Sequence, residues 1–272
     1  MESKRVMLSE ILPIPNVKDY KIHFARWNKL HQPLDVFTRD RNEWQGWSAY
    51  WPNRNDFNRP LIFSLADFYH ETDVWLFGGI YEVLALRRKR YELRLSGLAA
   101  GLIGRLKLYY RYRDRGTRVN LENHYSKFEV SEVLREQYSG RAFPGYENVN
   151  LSFDEIEALV RNGRPDWKVA LENIKGVYLI TDARTGKRYV GAAYGQTGIW
   201  CRWSAYAKTG HGGNVELRDV VRKKGLPYCR ANFRFALLDQ RPLRMPDEEL
   251  RARESYWKKL LLTRGDWGFN RN

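Results

Sequence analysis

The chain has 272 residues, with 47 Lys+Arg against 32 Asp+Glu, a formal net charge of +15 and a pI near 9.8. At 43% hydrophobic and 14% aromatic residues it can bury a real core, which excludes disorder as the main state. No run of 18 apolar residues offers a membrane span, and MESKRVMLSE lacks the apolar core of a secretory signal. Cys201 and Cys229 cannot form a disulfide framework or a four-ligand zinc site, so a reducing, cytoplasmic setting is expected. A soluble chain this basic is expected to meet polyanions, nucleic acid first among them, and no membrane.

In chain order, the first distinctive segment is RNEWQGWSAYWPNRNDFNRP, where Trp44, Trp47 and Trp51 alternate with amides and arginines. Exposed, it has the composition of a base-reading loop; buried, it is a tryptophan-rich core corner. Strands are predicted at Val74–Leu86, Tyr91–Ser96, Arg105–Tyr112, Arg118–Asn123 and Phe128–Leu134. Five short strands with glycine-bearing turns predict a small barrel or strongly bent sheet, a β-rich basic domain over residues 1–145. Between Glu82 and Arg118 there are eleven Lys/Arg and three Asp/Glu, a net +8. Alternation on the third strand puts Lys107 and Arg111 on one polar face, either simply solvated or tracking phosphates, with Arg113 just beyond.

Residues 146–173 read as a linker with one short helix, started by Ser152 ahead of Asp154 and Glu155 and stopped by Asn162-Gly163 and Arg164-Pro165. From residue 174 a compact α/β domain is expected. Its parts are a hairpin (Val177–Thr181, Arg188–Gly191) with a Thr185-Gly186 turn, helices Ile199–Thr209 and Val215–Lys224, a third strand Phe233–Asp239 and a long helix Pro246–Leu262. Residues 172–272 net +10, and Arg188, Lys208 and Lys258 are further candidates for phosphate contacts.

The order of residues in this last domain is its most specific feature. Gly176-Val177-Tyr178 is followed by Tyr189-Val190-Gly191, then Gly198-x3-Arg202, Tyr206, His211, Glu254 within ARESYWKKLL, and Asn270 within WGFNRN. The set resembles the GIY-YIG nuclease superfamily over about residues 174–272. An earlier Gly79-Ile80-Tyr81 with Tyr91 lacks the downstream parts. The resemblance implies a small three-stranded antiparallel sheet flanked by helices and a metal-dependent DNA endonuclease of restriction or phage-defence type. It also implies Mg2+ or Mn2+ held by Glu254, Arg202 on phosphate oxygens, and a hairpin tyrosine, Tyr178 or Tyr189, as general base. Tyr206 stands where histidine is often found, and Asn270 would orient the metal site or a phosphate oxygen.

Each residue has a plainer reading: hairpin aromatics paired across strands, a solvated helix carboxylate at Glu254, a surface loop histidine at His211, a small buried filler at Cys201. The chemistry is coherent all the same. One carboxylate can hold one hard cation that keeps its waters, and a guanidinium matches phosphate oxygens. Double-stranded DNA is the expected partner, with the N-terminal domain as reader of a sequence or of a modified base. A homodimer on a palindromic target would let one metal centre serve each strand. The alternatives are a homing-type endonuclease and a non-cleaving DNA- or RNA-binding protein on a degenerate scaffold.

Overall fold

The computed structural model describes residues 5–50 and 55–271. It is mixed α/β and divides into two compact units, Met1–Tyr138 and Ser139–Asn272. Among the described residues, no helix is long and apolar enough to cross a membrane.

Unit 1 contains α1 (Leu8–Ile11), β1 (Tyr20–Ala25), α2 (Pro33–Arg39), α3 (Arg41–Ala49), β2 (Leu61–Asp67), β3 (Val74–Arg87), β4 (Arg90–Leu95), β5 (Leu106–Tyr109), β6 (Arg118–Asn120) and β7 (Glu129–Val133). The strands make one open seven-stranded sheet in the order β6-β1-β2-β3-β5-β7. β3 is long enough to share one edge, pairing β5 through Val74–Leu76 and β4 through Tyr81–Arg87. The expected small barrel is therefore corrected to an open sheet, because β6 and β7 end it without meeting.

β1 and β2 are additional to the five predicted strands, and they pair in parallel. β2 reads as a near-continuous apolar run, as parallel strands covered on both faces do, while β1 alternates polar and apolar residues over Tyr20–Phe24. On β2 the whole of Ile62–Ala66 is buried. Residues 41–49 are helical, capped by the Asp40 carboxylate on the amides of Asn42 and Glu43. Trp44 is buried, donates its indole N–H to the Gly78 carbonyl at 3.0 Å, and lies so close that a Cβ at Gly78 would fall 2.3 Å from its ring. Of the two readings of this segment, the core corner holds for Trp44; Trp47 is half-buried against the same core, and Trp51 lies outside the described residues.

Unit 2 contains β8 (Asn150–Ser152), α4 (Phe153–Asn162), α5 (Pro165–Glu172), β9 (Ile174–Asp182), β10 (Arg188–Ala193), α6 (Gly198–Thr209), α7 (Val215–Asn232), β11 (Phe233–Pro242) and α8 (Asp247–Leu260). Residues 146–173, read from sequence as a linker, carry β8, α4 and α5, and Phe153, Ile156, Trp167 and Leu171 are part of this unit's core. Ser152 closes a reciprocal capping box with Glu155 at the start of α4. The sheet has four strands, β10-β9-β11-β8, all antiparallel, where three were expected; β8 adds itself beside β11. The predicted stop at Gly225 is a break within α7, with φ +74°, after which Pro227 starts the remaining turns.

Candidate functional site

The β9–β10 hairpin is closed by Asp182, whose carboxylate accepts from the Arg184 amide (3.0 Å), the Thr185 hydroxyl (2.8 Å) and the Tyr228 hydroxyl (2.7 Å). That turn fixes the register that sets Tyr178 opposite Gly191 and Tyr189 opposite Ile180. Side chains at cross-strand partners share a face, so Tyr178 and Tyr189 project to the same side. Gly191 is required there: a Cβ would stand 2.6 Å from the Tyr178 hydroxyl. This face carries the larger core, which includes Ile199, Trp203 and Tyr206 of α6.

Three of the candidates meet in one polar cluster. The hydroxyls of Tyr178 and Tyr206 are 3.2 Å apart, and an Arg202 Nη2 donates to the Tyr178 hydroxyl at 3.4 Å. The Arg202 guanidinium also lies 5.7 Å from the Tyr206 ring centre. The Tyr189 ring stands 6.4 Å from Tyr178 and 6.5 Å from Tyr206. Tyr178 and Tyr206 are fully buried, while Tyr189 keeps 9% of its surface. Burial pushes the hydroxyls of Tyr178 and Tyr206 well above the ordinary tyrosine range, and the Arg202 charge opposes this without overcoming it. The cluster therefore presents neutral phenols beside a permanent cation. The Arg202 Nε–H is buried and has no hydrogen-bond partner, a donor left over for an anion.

Glu254 stands in a second cluster. α8 covers the other face of the sheet, with Leu250 packed on Val177, Val190 and Ala192. One turn on from Leu250, Glu254 accepts from the Tyr194 hydroxyl, and its Oε1 is 3.1 Å from Lys258 Nζ. The Tyr194 hydroxyl is pushed up by burial and then by its bond to Glu254, with a smaller contribution from Tyr189. Tyr189 thus lies within electrostatic reach of both clusters. Tyr194 was not among the sequence candidates; its only signal was its place one residue beyond the end of β10, on the rim that faces α8. Among the described residues no group of three or more His, Cys, Asp or Glu side chains could hold a metal ion. Glu254 alone fits the simpler case of one hard cation carried by a single carboxylate and its own waters, with Lys258 giving up its place on Oε1.

Asn270 has a structural role on the sheet edge. Its Oδ1 accepts from the Val190 amide at 2.9 Å and its Nδ2 donates to the Val190 carbonyl at 2.8 Å, so both ends of the amide clamp the outer edge of β10. One Nδ2 proton and one Oδ1 lone pair are left over from this clamp. Asn270→Ala leaves two buried backbone groups unsatisfied, at about 1–3 kcal/mol each when exposed to no other partner. A loss of roughly 2 kcal/mol in urea unfolding is expected; unchanged stability with lost activity would restore a role in chemistry.

His211 sits in the α6–α7 loop, where Nδ1 accepts from the Gly213 amide at 3.0 Å; burial and Arg218 lower its pKa. It makes no hydrogen bond to the Tyr178–Arg202 cluster, but its neighbour Gly212 packs on the Tyr206 ring. Lys107 is corrected from a solvated phosphate contact to a buried ammonium, bonded to Glu71 and, at 2.9 Å, to Glu132. Arg113 is exposed and paired with Asp73 at 3.0 Å. Arg111, Arg188 and Lys208 are exposed, as the phosphate reading requires; Lys258 is committed to Glu254. Cys201 is exposed rather than a buried filler, whereas Cys229 is buried and its thiol is pushed up to about 12 by that burial.

No family model matches the chain, no curated protein matches it, and no solved structure matches it.

Proposed function

We propose that this chain is a metal-dependent DNA endonuclease of the GIY-YIG type, acting in the cytoplasm in restriction or phage defence, with unit 1 as the reader of its double-stranded target. The observation that carries the reading is the Tyr178–Tyr206–Arg202 cluster, with a buried Arg202 Nε that has a proton to give and no acceptor. A phosphate oxygen is the planar, charged acceptor that such a guanidinium suits.

In this mechanism Glu254 would hold Mg2+ or Mn2+, and the ion would supply a hard positive charge to the phosphate. Arg202 takes a non-bridging oxygen and stabilises the charge that builds on it. Burial disfavours the phenolate of Tyr178 and Tyr206, which leaves Tyr189, the hairpin tyrosine with surface remaining, as the one whose phenolate would take the proton of the attacking water and become the neutral phenol. Tyr178 and Tyr206 hold Arg202 at its angle. One such centre cuts one strand, and two copies on a two-fold target cut both.

Supercoiled plasmid and phage DNAs of differing base modification, incubated with the full chain, test the reading. Nicked or linear product is expected with Mg2+ and none with EDTA. Equal cleavage in EDTA overturns the metal dependence, and no cleavage of any substrate overturns the reading in favour of a binding protein on the same scaffold.

A further inference from the structure

Unit 1 holds a cavity of about 530 Å3 formed where β1, β2 and β3 end and begin. This is within the range of about 300–1,000 Å3 typical of small-ligand sites. Its floor is rigid and flat. Tyr112 is stacked on Phe24, with ring centres 4.1 Å apart, and its hydroxyl donates to the Gly116 carbonyl at 2.6 Å. Trp75 donates its indole N–H to the Tyr110 carbonyl at 3.0 Å. Across both rings lies the Arg26 guanidinium, 5.5 Å from Trp75 and 5.0 Å from Tyr112, pinned by the carbonyls of Tyr112 and Asp114 at 2.9 Å each. Tyr69 and His70, with ring centres 4.1 Å apart, form a second aromatic wall, held by the Tyr69 hydroxyl on Asp35 at 2.8 Å.

The polar group left in this flat-sided space is Asp67. It ends β2 half-buried, and no hydrogen bond reaches its carboxylate among the described residues. Burial raises its pKa, Arg26 opposes and Asp73 adds to the rise. A solvent-reachable carboxylate set between an aromatic wall and a pinned guanidinium plane suits a planar ligand that brings N–H groups on its edge. Exposed Arg113 lines the same cavity, and Arg111, two residues before it, is also exposed, so a sugar-phosphate backbone would meet cations here.

We propose that this cavity takes one nucleobase turned out of its duplex, read through its exocyclic amine by Asp67 and sandwiched against Arg26. The inference rests on the reading of the chain as a DNA-acting protein and deepens it by naming the reader. Cytosine, adenine and guanine each bring an amine to the carboxylate; thymine brings carbonyl oxygens on either side of its single N–H, which a carboxylate repels. The base must leave the stack because a paired base offers only its edge, whereas Arg26 and the aromatic wall meet a face.

Fluorescence anisotropy in EDTA, where nothing is cut, tests this on 30-bp duplexes with a central mismatched cytosine, a central mismatched thymine, or full pairing. A mismatched base is already partly unstacked, so the full chain should bind the cytosine duplex about tenfold tighter than the paired one. The thymine duplex should gain less. In Asp67→Ala that preference should fall to about twofold or less, and Asp67→Asn, which keeps the shape, should lose most of it. Equal wild-type affinity for cytosine and paired duplexes, or an undiminished preference in folded Asp67→Ala, overturns the proposal. Loss of Mg2+-dependent plasmid cleavage by the wild-type chain overturns the nuclease reading instead and leaves these affinities as they are.

Discussion

Glu254→Gln should abolish Mg2+-dependent cleavage while duplex affinity stays within about twofold. Glutamine keeps the volume of glutamate and an oxygen that can still accept from the Tyr194 hydroxyl, so the rim between β10 and α8 retains its shape. What it removes is the negative charge, which a hard divalent cation needs and a neutral amide replaces poorly. Lys258, now 3.1 Å from an uncharged partner, adds its charge to the local field, so phosphate attraction does not fall. Single-turnover nicking of plasmid, with anisotropy on the same DNA, separates the two effects. A variant that cuts at the wild-type rate would make the Tyr194–Glu254–Lys258 group a structural ion pair at the sheet edge.

What the sequence made legible was local. The capping box at Ser152 and the turn at Thr185-Gly186 depend on side chains within three or four positions of the backbone they satisfy, and both are where spacing put them. Tyr178 facing Gly191 follows from the same hairpin register. The misses are long-range. β2 escaped because both of its faces are covered, which erases alternation, whereas β1 does alternate over Tyr20-Lys21-Ile22-His23-Phe24. Lys107 alternates with leucines as a solvent-facing residue should, yet Glu71, 36 positions away, and Glu132 close over it. Asn270 looks like a polar residue near a chain end, and only its bonds to Val190, 80 positions away, show that it completes a sheet edge. Trp44 and Trp47, three apart, already had helical spacing, and Asp40 before them was the cap that would have told a helix from a loop.

Arg202→Ala should lower single-turnover cleavage by about 10²–10⁴-fold, the cost of removing a donor aimed at charge that develops in the transition state. The fold should tolerate the change. Tyr178 loses a 3.4 Å bond to Nη2 but keeps the Tyr206 hydroxyl at 3.2 Å, and a buried Nε that has no partner goes with the side chain. Arg202→Lys should recover only part of the rate, because an ammonium offers a point charge in place of a planar fork. The pH profile gives an independent reading. Arg202 is the positive charge that opposes the upward shift of Tyr178 and Tyr206, so its removal pushes both phenols further from ionisation. Any alkaline limb of the residual activity that depends on either phenol should therefore move to higher pH in Arg202→Ala and return toward wild type in Arg202→Lys. A full cleavage rate in a folded Arg202→Ala protein would place the guanidinium outside the chemistry and leave the tyrosine cluster as packing between α6 and the hairpin.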